Sequence, residues 1–321
     1  MNKLWASIDL GTNSCLLLLC DRDADGRLRE VHEESHIVRL GEGVGETGSL
    51  SDAAIRRTLD ALDHHLHCIP RAKTCGICVA AATSAVRDAA NGSEFLQVVS
   101  DRLGGTPCLF DGEEEALTTF LGATSELRPD QLAVTVDVGG GSTEIAAGTH
   151  GPDGCRLTTS LDLGCVRGGE KFGLLDVATP DAVEALRCEV RKTVEPLRSK
   201  LEDLSRGRSV HALASAGTAT TLAAYRLQMP TYDRERIHGY RSNLAELEST
   251  IADLAFLTAD KRAKLPGIRP GRAAVFPAGL IILRETLGAL GMDAFTVTTR
   301  ALRYGMVLRL ANGELEPTFR W

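Results

Sequence analysis

The sequence predicts an α/β protein built from two related domains, and three observations carry that reading. The chain has 321 residues, enough for about two domains at ~150 residues each. Residues 4–26 align without gaps on residues 132–154, an offset of 128, with Leu4/Leu132, Asp9/Asp137, Gly11/Gly139, Ser14/Ser142, Asp25/Asp153 and Gly26/Gly154 identical. Apolar stretches that read as strands also end in hydroxyl-rich turns leading into helices, at 82–88 and again at 214–221.

Each copy of the repeat reads as a strand ending in Asp, a glycine and hydroxyl turn, a second apolar strand, and an Asp-Gly turn suited to a hairpin. The glycines let backbone N–H groups approach an anion, and Thr12, Asn13, Ser14, Ser142 and Thr143 add side-chain donors. Such a turn holds phosphate. The aspartate before each turn, Asp9 or Asp137, is costly as a buried anion unless paired or serving a cation, and Mg²⁺ is the usual partner of phosphates. A single turn of this kind is commonly only a hairpin, whereas the repeated pair points to phosphate bound between two domains. The copies diverge where Leu16 becomes Glu144, which is either a solvent-facing strand position or a carboxylate aimed into the cleft.

The intervening segments follow in order. Ser51–Ile69 reads as a helix, with Ser51 as N-cap, a Leu50–Ile55 staple, apolar residues at helical spacing and Pro70 as the stop. His64, His65 and His67 on it do not share one face, so a solvated face fits them better than a metal site. Cys75-Gly-Ile-Cys78 has redox or half-zinc spacing but lies in an apparent buried strand without a second pair, which favours structural thiols. At Ala82–Asp88 a strand meets a helix, and Arg87 is either a phosphate grip or a solvated cation. Asp111–Ala116 opens a helix whose dipole accounts for two of Glu113, Glu114 and Glu115. The third can orient or deprotonate a water for attack on phosphorus. Thr179–Leu201 is an amphipathic packing helix with a kink expected at Pro196. Ala214–Thr221 is a third candidate turn for an anion or a nucleotide, and Arg269 and Arg272 are candidate cations for further phosphates that each read more simply as surface arginines. Arg300–Leu310 reads as a closing helix returning to the first domain.

Composition narrows the function classes. With 43% hydrophobic and 25% charged residues the chain is globular, and 4% aromatics weaken any single-strand stacking platform. Lys and Arg number 36 against 43 Asp and Glu, a net −7, so neither nucleic acid nor an acidic membrane is an expected partner. The longest apolar run, Cys15–Cys20, is far short of the ~20 residues of a membrane helix, and no leader is expected. Nine scattered cysteines suit reduced thiols in a cytoplasm.

In order and spacing, Asp9–Ser14, Ala82–Arg87, Gly112–Ala116, Asp137–Glu144 and Gly217–Thr221 together resemble the exopolyphosphatase and guanosine-pentaphosphate phosphohydrolase family. The resemblance implies two ribonuclease-H-like domains of the actin-like ATPase superfamily with the active site in their cleft. It places the domains at 1–120 plus 299–321 and at 121–298. It implies Mg²⁺-assisted removal of a terminal phosphate from polyphosphate or guanosine pentaphosphate, and leaves the oligomeric state open, dimers being common in the family. By motif position Glu115 looks like the water-activating base, Glu144 the second catalytic carboxylate, and Asp9 and Asp137 the acids near the metal. Gly11, Thr12, Asn13, Ser14, Arg87, Gly139, Gly140, Gly141, Ser142, Thr143, Gly217 and Thr218 match its phosphate-binding positions.

Three positions depart from the family pattern: Asp111 for Ser, Gly168-Gly169 for Leu-Thr, and Ala274 for Asp. They touch substrate grip and chain-length preference more than the chemistry. The rivals are an ATP-dependent kinase of the same fold and a non-catalytic alarmone binder. The Glu113–Glu115 segment argues against the first, and the retained Glu115 and Glu144 against the second.

Overall fold

The computed structural model describes residues 3–69 and 75–321. Contacts divide the chain into two compact units, one of Met1–Gly122 with Leu302–Trp321 and one of Ala123–Ala301.

In the first unit, β1 (Lys3–Leu10), β2 (Ser14–Arg22) and β3 (Leu28–Ile37) form an antiparallel meander. On the other side of β1 lies β4 (Cys75–Ala82), parallel to it, and β5 (Cys108–Leu109) runs parallel to the end of β4. Strand β1 is buried along all but its first residue, as its near-continuous apolar sequence requires for a central strand. Strand β3 is polar and half exposed because it forms the sheet edge. The Asp52–Cys68 helix starts where the Ser51 hydroxyl accepts from Ala54 N at 3.2 Å, and it buries Ala54, Leu59 and Leu62. Its expected stop, Pro70, and the residue before Cys75 lie outside the described residues. Cys75 is exposed and Cys78 buried, and their three-residue spacing on β4 puts them on opposite faces, so they are not the buried pair expected.

The second unit repeats the plan. Strands β6 (Ala133–Val138), β7 (Thr143–Gly148) and β8 (Cys155–Leu161) form the meander. Strand β9 (His211–Ser215) is parallel to β6, and β10 (Arg241–Asn243) and β11 (Ala294–Val297) complete the sheet. Chain segment β12 (Phe319–Arg320) then pairs with β4. With β10 and β12 set aside, both sheets share the order third, second, first, fourth, fifth: β3-β2-β1-β4-β5 and β8-β7-β6-β9-β11. This is a pair of ribonuclease-H-like α/β units, and each copy of the sequence repeat supplies the first two strands and the turn between them.

Two helices follow the fifth strands, Gly112–Ala123 after β5 and Leu302–Ala311 after β11. They meet in the first unit with their backbones in contact, since a Cβ on Gly305 would lie 1.8 Å from Thr118 O. In the second unit the long Pro180–Ser205 helix runs unbroken through Pro196 and packs, with the almost wholly buried Phe276–Ala289 helix, into the larger core.

Candidate active site

The two turns fold alike. Gly11 N donates to Ser14 O at 3.0 Å, and Gly139 N to Ser142 O at 3.0 Å, so each copy closes a four-residue hairpin loop. The loop carbonyls are turned away and held from behind. In the first unit Val38 N donates to Asn13 O at 3.0 Å and Gly41 N to Thr12 O at 2.8 Å. In the second, Cys165 N donates to Gly139 O at 2.9 Å and Val166 N to Gly140 O at 2.8 Å, at the start of the Cys165–Lys171 helix. Gly164 must be glycine here, because a Cβ would lie 2.4 Å from Gly140 O. With the carbonyls fixed, the N–H groups of Thr12, Asn13, Gly140, Gly141 and Ser142 donate to no acceptor among the described residues. Loops of this kind present N–H groups to an anion. The buried side-chain amide of Asn13 likewise has no partner among the described residues.

Two of the loop hydroxyls are held within the protein. Thr143 Oγ1 donates to Leu163 O at 2.5 Å, and Thr12 Oγ1 accepts from Ala85 N at 3.2 Å, tying the first loop to the Ser84–Asp88 turn. Ser14 and Ser142 are buried at the loop ends.

Asp9 and Asp137 occupy matching places, buried at the end of each first strand. Asp9 faces Ala81 of β4 where Asp137 faces Ser215 of β9. The Ser215 hydroxyl donates to Asp137 Oδ2 at 2.5 Å. Burial pushes the Asp137 carboxyl up to about 6, against the opposing pull of that bond and of the Arg272 charge.

The three glutamates of the Gly112–Ala123 helix are sorted by their neighbours. Asp111 caps the helix by accepting from Glu114 N at 2.8 Å, which explains an acid at that position. Glu113 is exposed. Glu114 pairs with Arg309 at 3.2 Å, and Arg309 also donates to Thr118 Oγ1 at 2.7 Å. Glu115 is buried, 7% exposed, and its Oε2 accepts from Arg87 Nη1 at 3.4 Å. Arg87 is neither solvated nor an unattached grip: its Nη1 also donates to Phe110 O at 2.8 Å. The guanidinium therefore ties the end of β5 to the glutamate.

Glu144 is 3% exposed on β7 and accepts from Ser160 Oγ at 2.7 Å, so the solvent-facing reading of this position does not hold. Next to β9, Ala216 has φ +61, a left-handed conformation that costs a non-glycine residue ~1–3 kcal/mol, at the start of the Ala216–Arg226 helix. Thr218 is buried against Val138 O. The residue undervalued from sequence is Arg272. A Cβ on Gly217 would lie 2.0 Å from its Nη1 and 2.1 Å from its Cζ, so Gly217 is the floor on which the guanidinium rests, near Asp137. Arg269 stacks on Tyr232, 4.6 Å from the ring centroid. The only sequence hint was the glycine of the third turn, since an Arg 55 residues away carries no local sign of its partner.

The chain as a whole has counterparts among known proteins. The family model described as the Ppx/GppA phosphatase family matches residues 19–314. Exopolyphosphatase 2 of Mycobacterium tuberculosis is 38% identical, over 95% of this chain and 98% of its own length. The chain belongs to the Ppx/GppA phosphatase family. The guanosine-5'-triphosphate,3'-diphosphate pyrophosphatase of Vibrio parahaemolyticus is 31% identical over 97% of this chain, which spans 60% of that protein. The crystal structure of the Aquifex aeolicus Ppx/GppA family member superposes with TM-score 0.79 at 28% identity, covering 98% of this chain and all of the other.

Within this Ppx/GppA chain the segments around Gly168-Gly169 and Ala274 are closely packed. A Cβ on Gly169 would lie 2.6 Å from Leu175 Cδ2, and one on Gly168 3.3 Å from Ile282 Cδ1, so this glycine pair lets the Cys165–Lys171 helix pack closely. Around Ala274, the fully buried Arg262 donates to the carbonyls of Ala273 at 2.7 Å, Leu257 at 2.7 Å and Leu175 at 2.9 Å, fixing the segment that carries Arg272. No helix among the described residues is long and apolar enough to cross a membrane.

Proposed function

We propose that this chain is an exopolyphosphatase, hydrolysing the terminal phosphoanhydride bond of inorganic polyphosphate. The observation that carries the reading is the pair of loops whose N–H groups have no acceptor among the described residues, each closing beside a buried aspartate. Polyphosphate is favoured as substrate by the match to an exopolyphosphatase over nearly its whole length. Both named groups of relatives are hydrolases, which leaves the kinase alternative without support.

In the proposed mechanism the loop N–H groups and the hydroxyls of Ser14 and Ser142 bind phosphate oxygens. Glu115 takes a proton from a water attacking the terminal phosphorus in line. As the water oxygen bonds to phosphorus the bridging P–O bond breaks, releasing orthophosphate and a chain shorter by one unit. Arg87 orients Glu115, and Glu144, fixed by Ser160, is the second carboxylate. Arg272 and Thr218 add a grip beside Asp137. Asp9 in the first unit and Asp137 in the second each offer carboxylate oxygens of the kind hard cations take, and burial without full neutralisation leaves Asp137 poised for a cation, so each residue fits Mg²⁺. When bound, Mg²⁺ supplies charge neutralisation for the phosphoryl oxygens.

The test is phosphate release by the purified chain with Mg²⁺ on long-chain polyphosphate, guanosine pentaphosphate and ATP in parallel. Release from polyphosphate is expected. Release from guanosine pentaphosphate alone would transfer the assignment to the alarmone, and release from none of the three would refute the hydrolase.

A further inference from the structure

The polar edge strand β3 and the helix behind it hold a cluster that the phosphate chemistry does not use. His32, Glu34 and His36 alternate along β3 and so share one face of the sheet. His64 and Cys68 stand four residues apart on one face of the Asp52–Cys68 helix. These two faces meet. The His36 and His64 rings are in edge contact with centroids 4.9 Å apart. One donor atom from each of Glu34, His36 and His64 lies within 4.8 Å of the other two, and the same holds for Glu34, His32 and Cys68. Glu34 is common to both sets, and His32 Nε2 lies 3.4 Å from Glu34 Oε1.

One donor atom of the cluster is unused among the described residues. His36 Nδ1 is buried with no hydrogen-bond partner among the described residues. Behind it His65 is fully buried, its Nε2 on Cys15 O at 3.2 Å. Cys15 is the cross-strand partner of His36, so His65 buttresses the strand position that carries the candidate ligand. Two imidazoles and one carboxylate projecting from a strand and a helix form a three-ligand set that zinc takes with a fourth position left to water.

We propose that Glu34, His36 and His64 bind one divalent transition-metal ion of the zinc class, clipping the edge strand to the Asp52–Cys68 helix. His32 and Cys68 flank the ion on the far side of Glu34. Zinc needs donor atoms ~2.0–2.2 Å from the metal, which puts them closer together than 4.8 Å, so the ring and carboxylate rotamers close on the ion as it binds.

The experiment uses the untagged full chain, stripped with a chelator and titrated with Zn²⁺ by calorimetry, with Co²⁺ as a spectroscopic probe. One ion per chain is expected, with a rise in Tm on binding. Glu34→Gln and His64→Ala are each expected to weaken Zn²⁺ binding by about 10- to 100-fold or more while circular dichroism stays native. His64 is exposed and Glu34 half-buried, and two independent variants guard against a misfolded one. Absence of stoichiometric binding, or unchanged affinity in both variants, would overturn the site. Loss confined to His32→Ala and Cys68→Ser would overturn the choice of ligands. Phosphate release in Mg²⁺ alone reads the proposed hydrolase separately, so the two readings fail independently.

Discussion

Replacing Gly217 by Ala should separate the grip on phosphate from the stability of the fold. The new Cβ would lie 2.0 Å from Arg272 Nη1 and 2.1 Å from its Cζ. Ordinary contact begins near 3.4 Å, so the guanidinium must retreat by about 1.3–1.4 Å. It can do so, because it is the end of a flexible side chain, and Ala is the better helix former by up to ~1 kcal/mol. Tm should therefore hold or rise. A misplacement of ~1 Å in a positioning group can cost about 100-fold, some 2.7 kcal/mol, so kcat/KM for phosphate release should fall by about that factor. Arg272→Ala should show the same loss, and the double variant should lose no more than either alone, since both remove one interaction. Wild-type kcat/KM in Gly217→Ala, or additive losses in the double variant, would refute the placement of Arg272 as a substrate grip.

Three further outcomes are expected. Glu115→Gln should abolish phosphate release while retaining phosphate-chain binding measured by calorimetry, and unchanged turnover would remove it as the base. Because burial raises Asp137 from 3.8 to about 6, the native state holds a proton there that the unfolded chain has lost. Stability should accordingly decline as pH rises from about 4 through 6, by at most about 3 kcal/mol from this group, and level off above. Mg²⁺ should raise Tm more at pH 7 than at pH 5, and Asp137→Asn should cancel that difference. Finally, Gly305→Ala forces a Cβ to within 1.8 Å of the Thr118 carbonyl, backbone that cannot swing aside. Denaturant unfolding should show a loss of about 1–3 kcal/mol or more, and a stable variant would mean that the two helices are not in backbone contact.

The repeat made the fold class legible, because a strand, a tight turn and a returning strand are written in neighbouring residues. Ser51 as a cap and the Gly11 and Gly139 turns were legible for the same reason. Strand β3 was not, since an edge strand buries neither face fully and its Arg, Glu and His residues show no apolar alternation. Two-residue β5 is too short to leave a pattern, yet it sets where the Gly112–Ala123 helix begins.

For the candidate site the division has a single physical cause. Local sequence determines backbone shape: glycines that admit the turn, a carboxylate at the end of each first strand, and an acidic first helical turn. Partners distant in sequence are decided only by packing. Glu114 is set apart from Glu115 by Arg309, 195 residues away, and Arg87 is drawn to Glu115 across 28 residues. Likewise Arg272 is seated by Gly217, and His36 meets His64 only because β3 lies beside the Asp52–Cys68 helix. Charge and hydrogen-bonding capacity belong to the residue type, whereas burial and distance, which turn capacity into chemistry, come from the tertiary structure.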